Sequence, residues 1–244
     1  MSAEPYRPTR REERRAATVR EIKALAMEQI SSGGPDAVSL SGIVREMSMS
    51  PAAIYRYFEN RDALLAELVV DAYDALADAL AAVRPRPRRG TADDHLVAVL
   101  HGIRRWALAH PNAYLLIFQT SLGSGKELAA ERTVLAASRS MGVIVTAIAA
   151  VAADAAVTAD AAGGAPPAAD LAGGPAMSSA LASWADRSGL GDFPPAVLLF
   201  AVRSWTRLHG VISLELGGHL SSAGIDPGLL YQAEVEVIAG SARM

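Results

Sequence analysis

The sequence predicts an all-α fold, and three observations support that prediction. Apolar residues recur at the spacing of a helix face through most of the chain. No segment alternates apolar and polar residues over the length of a strand, and the composition, rich in alanine and leucine, favours helices over sheets. With 244 residues, 51% of them hydrophobic, the chain is long enough to bury a sizeable core in one or two domains.

The chain contains no cysteine, which excludes several kinds of site at once. Disulfides, thiolate zinc sites and cysteine nucleophiles are ruled out, and the cytoplasm is the natural compartment. No signal segment opens the chain, and the longest apolar run, Gly142 to Ala153, is too short to span a bilayer. We therefore expect a cytoplasmic protein with no membrane segment.

The N-terminal segment is basic and precedes the first predicted helix. Its arginines are Arg7, Arg10, Arg11, Arg14 and Arg15. Residues 1–13 are either an arm that contacts phosphates or a minor groove, or a solvated tail whose positive field the interspersed Glu12 and Glu13 weaken. A helical stripe then runs from about Arg14 to Ile30, and a Gly-Gly-Pro sequence at 33–35 ends it.

Net charge is slightly asymmetric along the chain. Residues 1–62 contain ten Lys or Arg and nine Asp or Glu, a balance of +1, although the whole chain carries −3. The remainder therefore carries −4. The sign of this asymmetry suits an N-terminal surface that meets a polyanion.

Two short helices joined by a tight turn are predicted between residues 39 and 61. The first helix has its apolar residues at i, i+3, i+4 and i+7, namely Leu40, Ile43, Val44 and Met47. Ser39 precedes them and is a suitable N-cap. The four residues 47–50 are too few for anything but a turn.

The second helix begins at Ser50, because a hydroxyl N-cap with Pro51 at the first helical position costs no backbone hydrogen bond. Ile54 and Phe58 share its inward face. Asn60 then caps a third helix, which continues an apolar stripe.

The outward residues of the second helix suit a nucleic-acid surface. Small residues near its start let the backbone approach base edges, Arg56 can donate to guanine or contact phosphate, and tyrosine hydroxyls can reach phosphate oxygens. The predicted DNA-binding residues are Ser39, Ser50, Pro51, Ala52, Ala53, Tyr55, Arg56, Tyr57 and Arg61. On spacing alone, a helical hairpin inside a protein that never touches DNA remains an alternative.

The segment SLSGIVREMSMSPAAIYRYFENRDALL resembles the N-terminal DNA-binding domain of TetR-type (tetracycline-repressor-like) transcriptional regulators. The resemblance covers roughly residues 14–70 and includes the aromatic end of the recognition helix. It departs from the family pattern at Ser48, where glycine is usual, at Tyr57, where histidine is usual, and at Arg61, where lysine is usual. Because a non-glycine residue at positive φ is strained, Ser48 puts the detailed shape of the turn in doubt.

Beyond residue 62 the sequence stays helical. A helix from Asp62 to about Val83 leads to a basic, proline-rich segment at 84–90, which we take as the domain boundary. We expect domains at 14–62 and 91–244, with residues 63–90 connecting them. The predicted helices of the second domain are His95 to Ala109, Pro111 to about Leu122, Lys126 to about Ala156, residues 194–220 and residues 226–241. An Ala/Gly/Pro segment at about 159–176 is predicted to be a flexible loop.

The last two predicted helices, at about 194–220 and 226–241, carry apolar residues on more than one face. Such a pair requires a partner, and the TetR resemblance implies that it forms a homodimer interface as a four-helix bundle. The sequence around Trp205, His209 and Gly210 also resembles the Trp-x-x-x-His-Gly signature of one C-terminal subgroup, and Arg104 to Pro111 is similar to another segment of that subgroup.

The resemblance further implies a site for an unknown small-molecule effector. The residues able to line it are Leu100, Ile103, Trp106, Tyr114, Phe118, Gln119, Trp205 and His209. The alternative is that the same residues fill a solid core. An effector would act by favouring one spacing of two DNA-reading heads.

An enzyme is the rival class. Glu215 and His219 are spaced i, i+4, and His95 and His101 lie on another helix, but no third metal ligand is placed by spacing. The Gly-Ser-Gly-Lys at 123–126 lacks the rest of a phosphate loop, and no serine lies in a nucleophile-elbow pattern. We expect no catalytic residues, no metal and no cofactor.

These observations together predict a sequence-specific DNA-binding transcriptional regulator. We expect a ligand-responsive repressor that binds double-stranded DNA with a palindromic operator as a dimer, because a two-fold dimer presents two recognition helices to half-sites one helical turn apart. A helical dimeric adaptor without DNA contact is the alternative. It would leave the outward Tyr55, Arg56 and Tyr57 unexplained.

Overall fold

The computed structural model describes residues 9–84, 91–118, 130–161 and 174–243. Throughout these residues the regular structure is helical, which confirms the all-α prediction. The α-helices are α1 (Arg10–Gly33), α2 (Leu40–Glu46), α3 (Pro51–Ile54), α4 (Arg61–Ala81), α5 (Ala92–Ala109), α6 (Pro111–Phe118), α7 (Ala130–Ala161), α8 (Gly174–Ser188), α9 (Pro195–Leu216), α10 (His219–Ser222) and α11 (Pro227–Ser241). A single 3-10 turn at Pro35–Ala37 follows α1.

The chain divides into two compact units. The first is Met1–Asp71 with Asn112–Ala130, and the second is Ala72–Pro111 with Glu131–Met244. Helix α4 belongs to both, since it begins in the first unit and continues into the second.

The first unit is built around the inner faces of α1, α2 and α4. Its fully buried residues include Ile22, Ala26, Ile43, Ile54 and Leu64. Lys23 of α1, whose side chain is 16% exposed, pairs with Glu67 at 3.3 Å and with Asp71 at 2.7 Å, both on α4. This ion pair joins the first helix to the first turns of the fourth.

Helix α1 begins at Arg10, earlier than the expected start near Arg14. The reason is a capping box: the Thr9 hydroxyl accepts from the Glu12 amide at 3.3 Å, and the Glu12 carboxylate accepts from the Thr9 amide at 2.7 Å. Glu12, which appeared in the sequence only as a charge that weakens the basic cluster, therefore starts the helix. The helix ends at Gly33, as predicted, because Gly34 has a φ of 74° and Pro35 cannot continue it.

The second unit is organised by α5, α9 and α11. The Tyr231 hydroxyl of α11 donates to the Leu100 carbonyl of α5 at 2.6 Å in the buried interior. Arg104 of α5 makes a bidentate ion pair with Glu215 of α9, with nitrogen–oxygen distances of 2.8 and 2.6 Å, and its guanidinium lies 5.7 Å from the Tyr231 ring centroid. One arginine thus ties three helices together.

Helix α7, expected from Lys126 to about Ala156, spans Ala130–Ala161 and has a longer apolar stretch than the run Gly142 to Ala153 indicated. Within residues 132–159 an 18-residue window has a mean hydropathy of 1.9, so that by length and composition this described helix would suffice to cross a membrane. Two observations favour packing within the unit instead. Ile148 and Val145 are fully buried, and Arg139, near the N-terminal end of this stretch, pairs with Asp74 and Asp78 of α4.

Helix α8 was missed by the sequence analysis, because alanines, serines and a glycine dilute its stripe of buried residues, Leu181, Ala185 and Ser188. The predicted loop at 159–176 lies mostly outside the described residues, and its flanks are helical, since α7 reaches Ala161 and α8 begins at Gly174. The expected helix at 194–220 is interrupted at Gly218, whose φ is 72°.

That interruption corrects one pair of residues considered for a metal. Glu215 lies in α9, which ends at Leu216, whereas His219 opens α10. The two do not share one helix face, and the carboxylate of Glu215 is engaged by Arg104.

Candidate nucleic-acid interface

Helices α2 and α3 form the predicted two-helix hairpin in the first unit. The Ser39 hydroxyl accepts from the Gly42 amide at 3.2 Å, so the predicted N-cap of α2 is confirmed. A second contact that the sequence did not suggest holds the same end, because the Ser39 amide donates to the Gln29 side chain of α1 at 2.8 Å. Ser39 is therefore half-buried and tied to the scaffold.

The turn between the helices contains the departure noted in the sequence. Ser48 has a φ of 51°, and among the described residues it is the sole non-glycine with positive φ. The turn is closed by the Met49 amide, which donates to the Val44 carbonyl at 3.0 Å, and by the Ser48 amide, which donates to the Arg45 carbonyl at 3.2 Å. Ser48 therefore adopts the left-handed conformation, at a steric cost that glycine would avoid.

The second helix is short. Regular α-helix covers only Pro51–Ile54, after which turns continue to Tyr57. Ile54 and Phe58 are buried, 1% and 5% exposed, as predicted. Ser50 occupies the N-cap position with Pro51 after it, but its hydroxyl makes no capping hydrogen bond, so that part of the prediction is wrong. The helix therefore starts at Pro51 without a side-chain cap, and Ser50 is exposed to solvent.

Most of the predicted DNA-binding side chains are presented to solvent. Tyr55 is 60% exposed, an unusual value for a large aromatic side chain. Pro51, Ala52 and Arg56 are exposed as well, and Ala53 is half-buried. The Arg56 guanidinium has no hydrogen-bond or ion-pair partner among the described residues, which leaves all its donors available.

Tyr57 differs from this group because an arginine covers it. The Arg15 guanidinium of α1 lies 5.1 Å from the Tyr57 ring centroid, and its two terminal nitrogens donate to the Arg56 carbonyl at 3.3 and 3.2 Å. We refer to Arg15, Tyr57 and the Arg56 carbonyl as the Arg15 clamp. It fixes the end of the α3 segment to the start of α1, where Arg11 and Arg14 are exposed.

Arg61, predicted to contact phosphate, already has internal partners. It donates to the Val38 carbonyl at 3.1 Å and to the Pro35 carbonyl at 2.6 Å, and it pairs with Asp36 at 3.2 Å. These bonds hold the 3-10 turn and the start of α2 against the start of α4. The side chain is 35% exposed, so a phosphate contact by Arg61 remains a prediction that would have to share its donors.

The residues predicted to line an effector site divide between the two units. Tyr114 and Phe118 belong to the first, with their ring centroids 4.8 Å apart. The others described, Leu100, Ile103, Trp106, Trp205 and His209, belong to the second, and Gln119 lies outside the described residues. Leu100, Ile103, Trp106 and Tyr114 are buried, while Phe118, Trp205 and His209 are partly exposed.

Trp205 and His209 lie one turn apart on α9. Their rings stack with centroids 5.2 Å apart and an interplanar angle of 15°. Burial lowers the pKa of His209, which keeps the imidazole neutral at pH 7. A neutral ring in this position can act as a donor at one nitrogen and as an acceptor at the other.

Sequence reasoning missed three residues that organise the interface: Arg15, Gln29 and the paired Lys23. Their partners lie 10 to 48 residues away along the chain, so no local pattern points to them. Only the basic character of Arg15 was a signal, and it suggested a phosphate contact rather than a clamp.

Two family models match this chain, one in its N-terminal part and one in its C-terminal part. The family model of bacterial regulatory proteins of the tetR family matches residues 22–68, and that of the tetracyclin repressor-like C-terminal domain matches residues 96–238. An HTH-type transcriptional regulator of Mycobacterium tuberculosis is 30% identical over 221 residues, which cover 89% of this chain and 88% of that protein. A regulator of the same description in Mycobacterium bovis matches equally well.

Solved structures agree. The crystal structure of a regulatory protein with 35% sequence identity superposes with a TM-score of 0.70 and covers 95% of this chain and all of the other. A regulatory protein of the tetR family from Rhodococcus RHA1 superposes with a TM-score of 0.58 over 92% of this chain and 96% of its own, and at 17% identity this likeness concerns the fold alone.

Proposed function

Because the chain belongs to the tetR family of bacterial regulatory proteins, and is therefore a DNA-binding transcriptional regulator, we propose that it acts as an effector-responsive repressor that binds a palindromic operator as a homodimer. The observation that supports the DNA-reading part is the exposed face of the α3 segment. Tyr55 and Arg56 are presented there by a buried Ile54 and Phe58. Such a regulator works in the cytoplasm, where its DNA is.

The exposed face predicts a division of labour that experiment can resolve. Arg56 has all its guanidinium donors available, so it can read a base edge by a bidentate contact. Replacing Arg56 by alanine should relax the preference for one base pair, with a loss of about tenfold or more in specific affinity and little change in nonspecific affinity. Selection of bound duplexes from a random pool by the wild-type protein comes first, because a palindromic product would also establish the two-fold symmetry. Recovery of no preferred sequence would contradict the proposal.

The homodimer is proposed to form through α9 and α11. These helices pack against each other in the second unit, yet Leu214, Leu229 and Val237 remain 44%, 73% and 50% exposed. Large apolar side chains left on one helix pair favour burial against a second copy. Sedimentation at micromolar concentration should give a dimer, and Leu229→Glu with Val237→Glu should shift it towards monomer. A wild-type protein that sediments as a monomer would exclude this interface.

The effector is proposed to bind in the second unit near the Trp205 and His209 stack. The partial exposure of these two stacked rings supports a ligand that packs on their faces with the His209 imidazole as a polar anchor. Tryptophan fluorescence should report such a ligand directly, and Trp205→Phe should remove most of the signal change. A ligand that releases operator DNA while leaving Trp205 fluorescence unchanged would place the site elsewhere.

A further inference from the structure

A groove between α2 and α3 lies on the reading unit and is not explained by the contacts above. Its volume is about 260 Å³. Val44 and Ile54, 7% and 1% exposed, form its floor, and Leu40 and Pro51, more exposed, form its walls. Its surface is therefore largely apolar, although it opens beside residues expected to meet DNA.

The rim of the groove is polar and includes a cation. Ser41, Arg45 and Tyr55 surround the apolar floor. The Arg45 guanidinium is exposed and has no ion-pair partner among the described residues, and Tyr55 is 60% exposed. A polyanion whose outer surface also carries small apolar groups would match both parts of this surface.

In the major groove of DNA, the thymine 5-methyl group is the apolar feature among the base-edge donors and acceptors. We propose that the groove formed by Leu40, Val44, Pro51 and Ile54 binds the 5-methyl group of a thymine in the operator half-site, while Arg45 contacts a neighbouring phosphate. This inference rests on the DNA-binding function and adds the base that the α2–α3 groove selects. Leu40 and Pro51 are then specificity-determining residues, and the contact requires no hydrogen bond to the base.

The size of the effect follows from the burial of one methyl group. Removing a buried methyl or methylene costs about fourfold in an equilibrium constant. Replacing the critical thymine by deoxyuridine, which lacks only that methyl, should therefore weaken operator binding about fourfold, whereas deoxyuridine at other positions should have no effect.

The experiment is a deoxyuridine scan across the duplex selected by the wild-type protein, with dissociation constants measured at fixed salt. The scan is repeated with Leu40→Ala and with Met47→Ala, a control at the C-cap of α2 that does not line the groove. The deoxyuridine penalty is the ratio of the dissociation constants with and without the substitution. It should fall to nearly one in Leu40→Ala and persist in Met47→Ala. Leu40→Val, a smaller perturbation, should give an intermediate penalty even if Leu40→Ala folds poorly.

The outcomes separate the two levels of inference. If the wild-type protein selects a specific duplex but no thymine shows a deoxyuridine penalty, the groove does not read a methyl group and the regulator assignment stands. If a penalty exists and is unchanged in both Leu40 variants, the methyl is read elsewhere and the inference is overturned. If no specific duplex is selected, the proposed operator recognition fails, and the groove inference fails with it.

Discussion

The Arg15 clamp gives the sharpest test of how this protein holds its reading segment. Arg15→Ala removes two hydrogen bonds to the Arg56 carbonyl and the cation over the Tyr57 ring. An exposed cation–π contact stabilises by about 0.5–1 kcal/mol, and a net hydrogen bond by about the same amount. Because the two nitrogens share one acceptor and count as one hydrogen bond, we expect the variant to lose about 1–2 kcal/mol of the stabilisation that positions the Arg56 backbone, which is roughly 5- to 30-fold in specific affinity.

The salt dependence distinguishes a clamp from a phosphate contact. Each neutralised phosphate contributes about −0.9 to the slope of log affinity against log salt concentration. Because the clamp engages the Arg15 guanidinium with the Arg56 carbonyl, Arg15→Lys, which keeps the charge but cannot hold the carbonyl with two nitrogens, should weaken specific binding without changing that slope. Arg14→Ala is the matched control: Arg14 is exposed at the preceding position of the helix and has no side-chain partner among the described residues.

Fluorescence anisotropy with the selected operator, measured across a salt series, provides both quantities. The clamp predicts a loss of specific affinity with an unchanged slope for Arg15→Lys. If Arg15→Lys binds as tightly as the wild type while Arg15→Ala loses about one unit of slope, Arg15 acts as a phosphate contact, and the clamp does not position the reading segment.

Three further predictions concern stability. Ser48→Gly should raise the free energy of unfolding by about 0.5–1 kcal/mol, because the relieved strain of a left-handed serine exceeds the added entropy of the unfolded chain. Ser41→Gly, within α2, should lower the free energy of unfolding instead. Urea unfolding measures both variants, and an equal change in the two would contradict the strain at Ser48. Arg61→Ala should cost about 1–2 kcal/mol by thermal unfolding, because three internal contacts are lost, and a neutral result would leave Arg61 as a phosphate contact only. Burial lowers the pKa of His209 in the folded protein, so as the pH falls the unfolded state binds the proton first. The free energy of unfolding should therefore fall as the pH drops below the ordinary histidine pKa of about 6.5. His209→Gln should reduce this pH dependence in unfolding curves recorded between pH 5 and 8.

The helices and the turn were predictable because their signals are local. The four apolar residues of α2, the caps Ser39 and Asn60, and the glycine pair after α1 each lie within a few residues of what they control. The turn was predicted but its detailed shape was left in doubt by the serine, and Ser48 takes a left-handed φ of 51°. Helix α8 was missed because its buried stripe is diluted by small residues.

The internal use of arginines was not predictable in the same way. The clamp joins residues 41 positions apart, and Arg61 reaches back 23 and 26 positions to backbone carbonyls. A carbonyl acceptor leaves no trace in the sequence, because every residue has one. From their charge alone, Arg15 and Arg61 were therefore predicted to contact phosphates outside the chain.

The contact of Lys23 with Glu67 and Asp71 has a practical consequence for chemistry at amines. The sequence contains two lysines, Lys23 and Lys126, so an acylating reagent meets only these side-chain amines. Lys23 is 16% exposed and held by two carboxylates, which slows its labelling for as long as α1 stays docked on α4. The labelling rate at this one peptide, followed by mass spectrometry with and without bound DNA, is therefore a built-in reporter of that docking and requires no introduced probe.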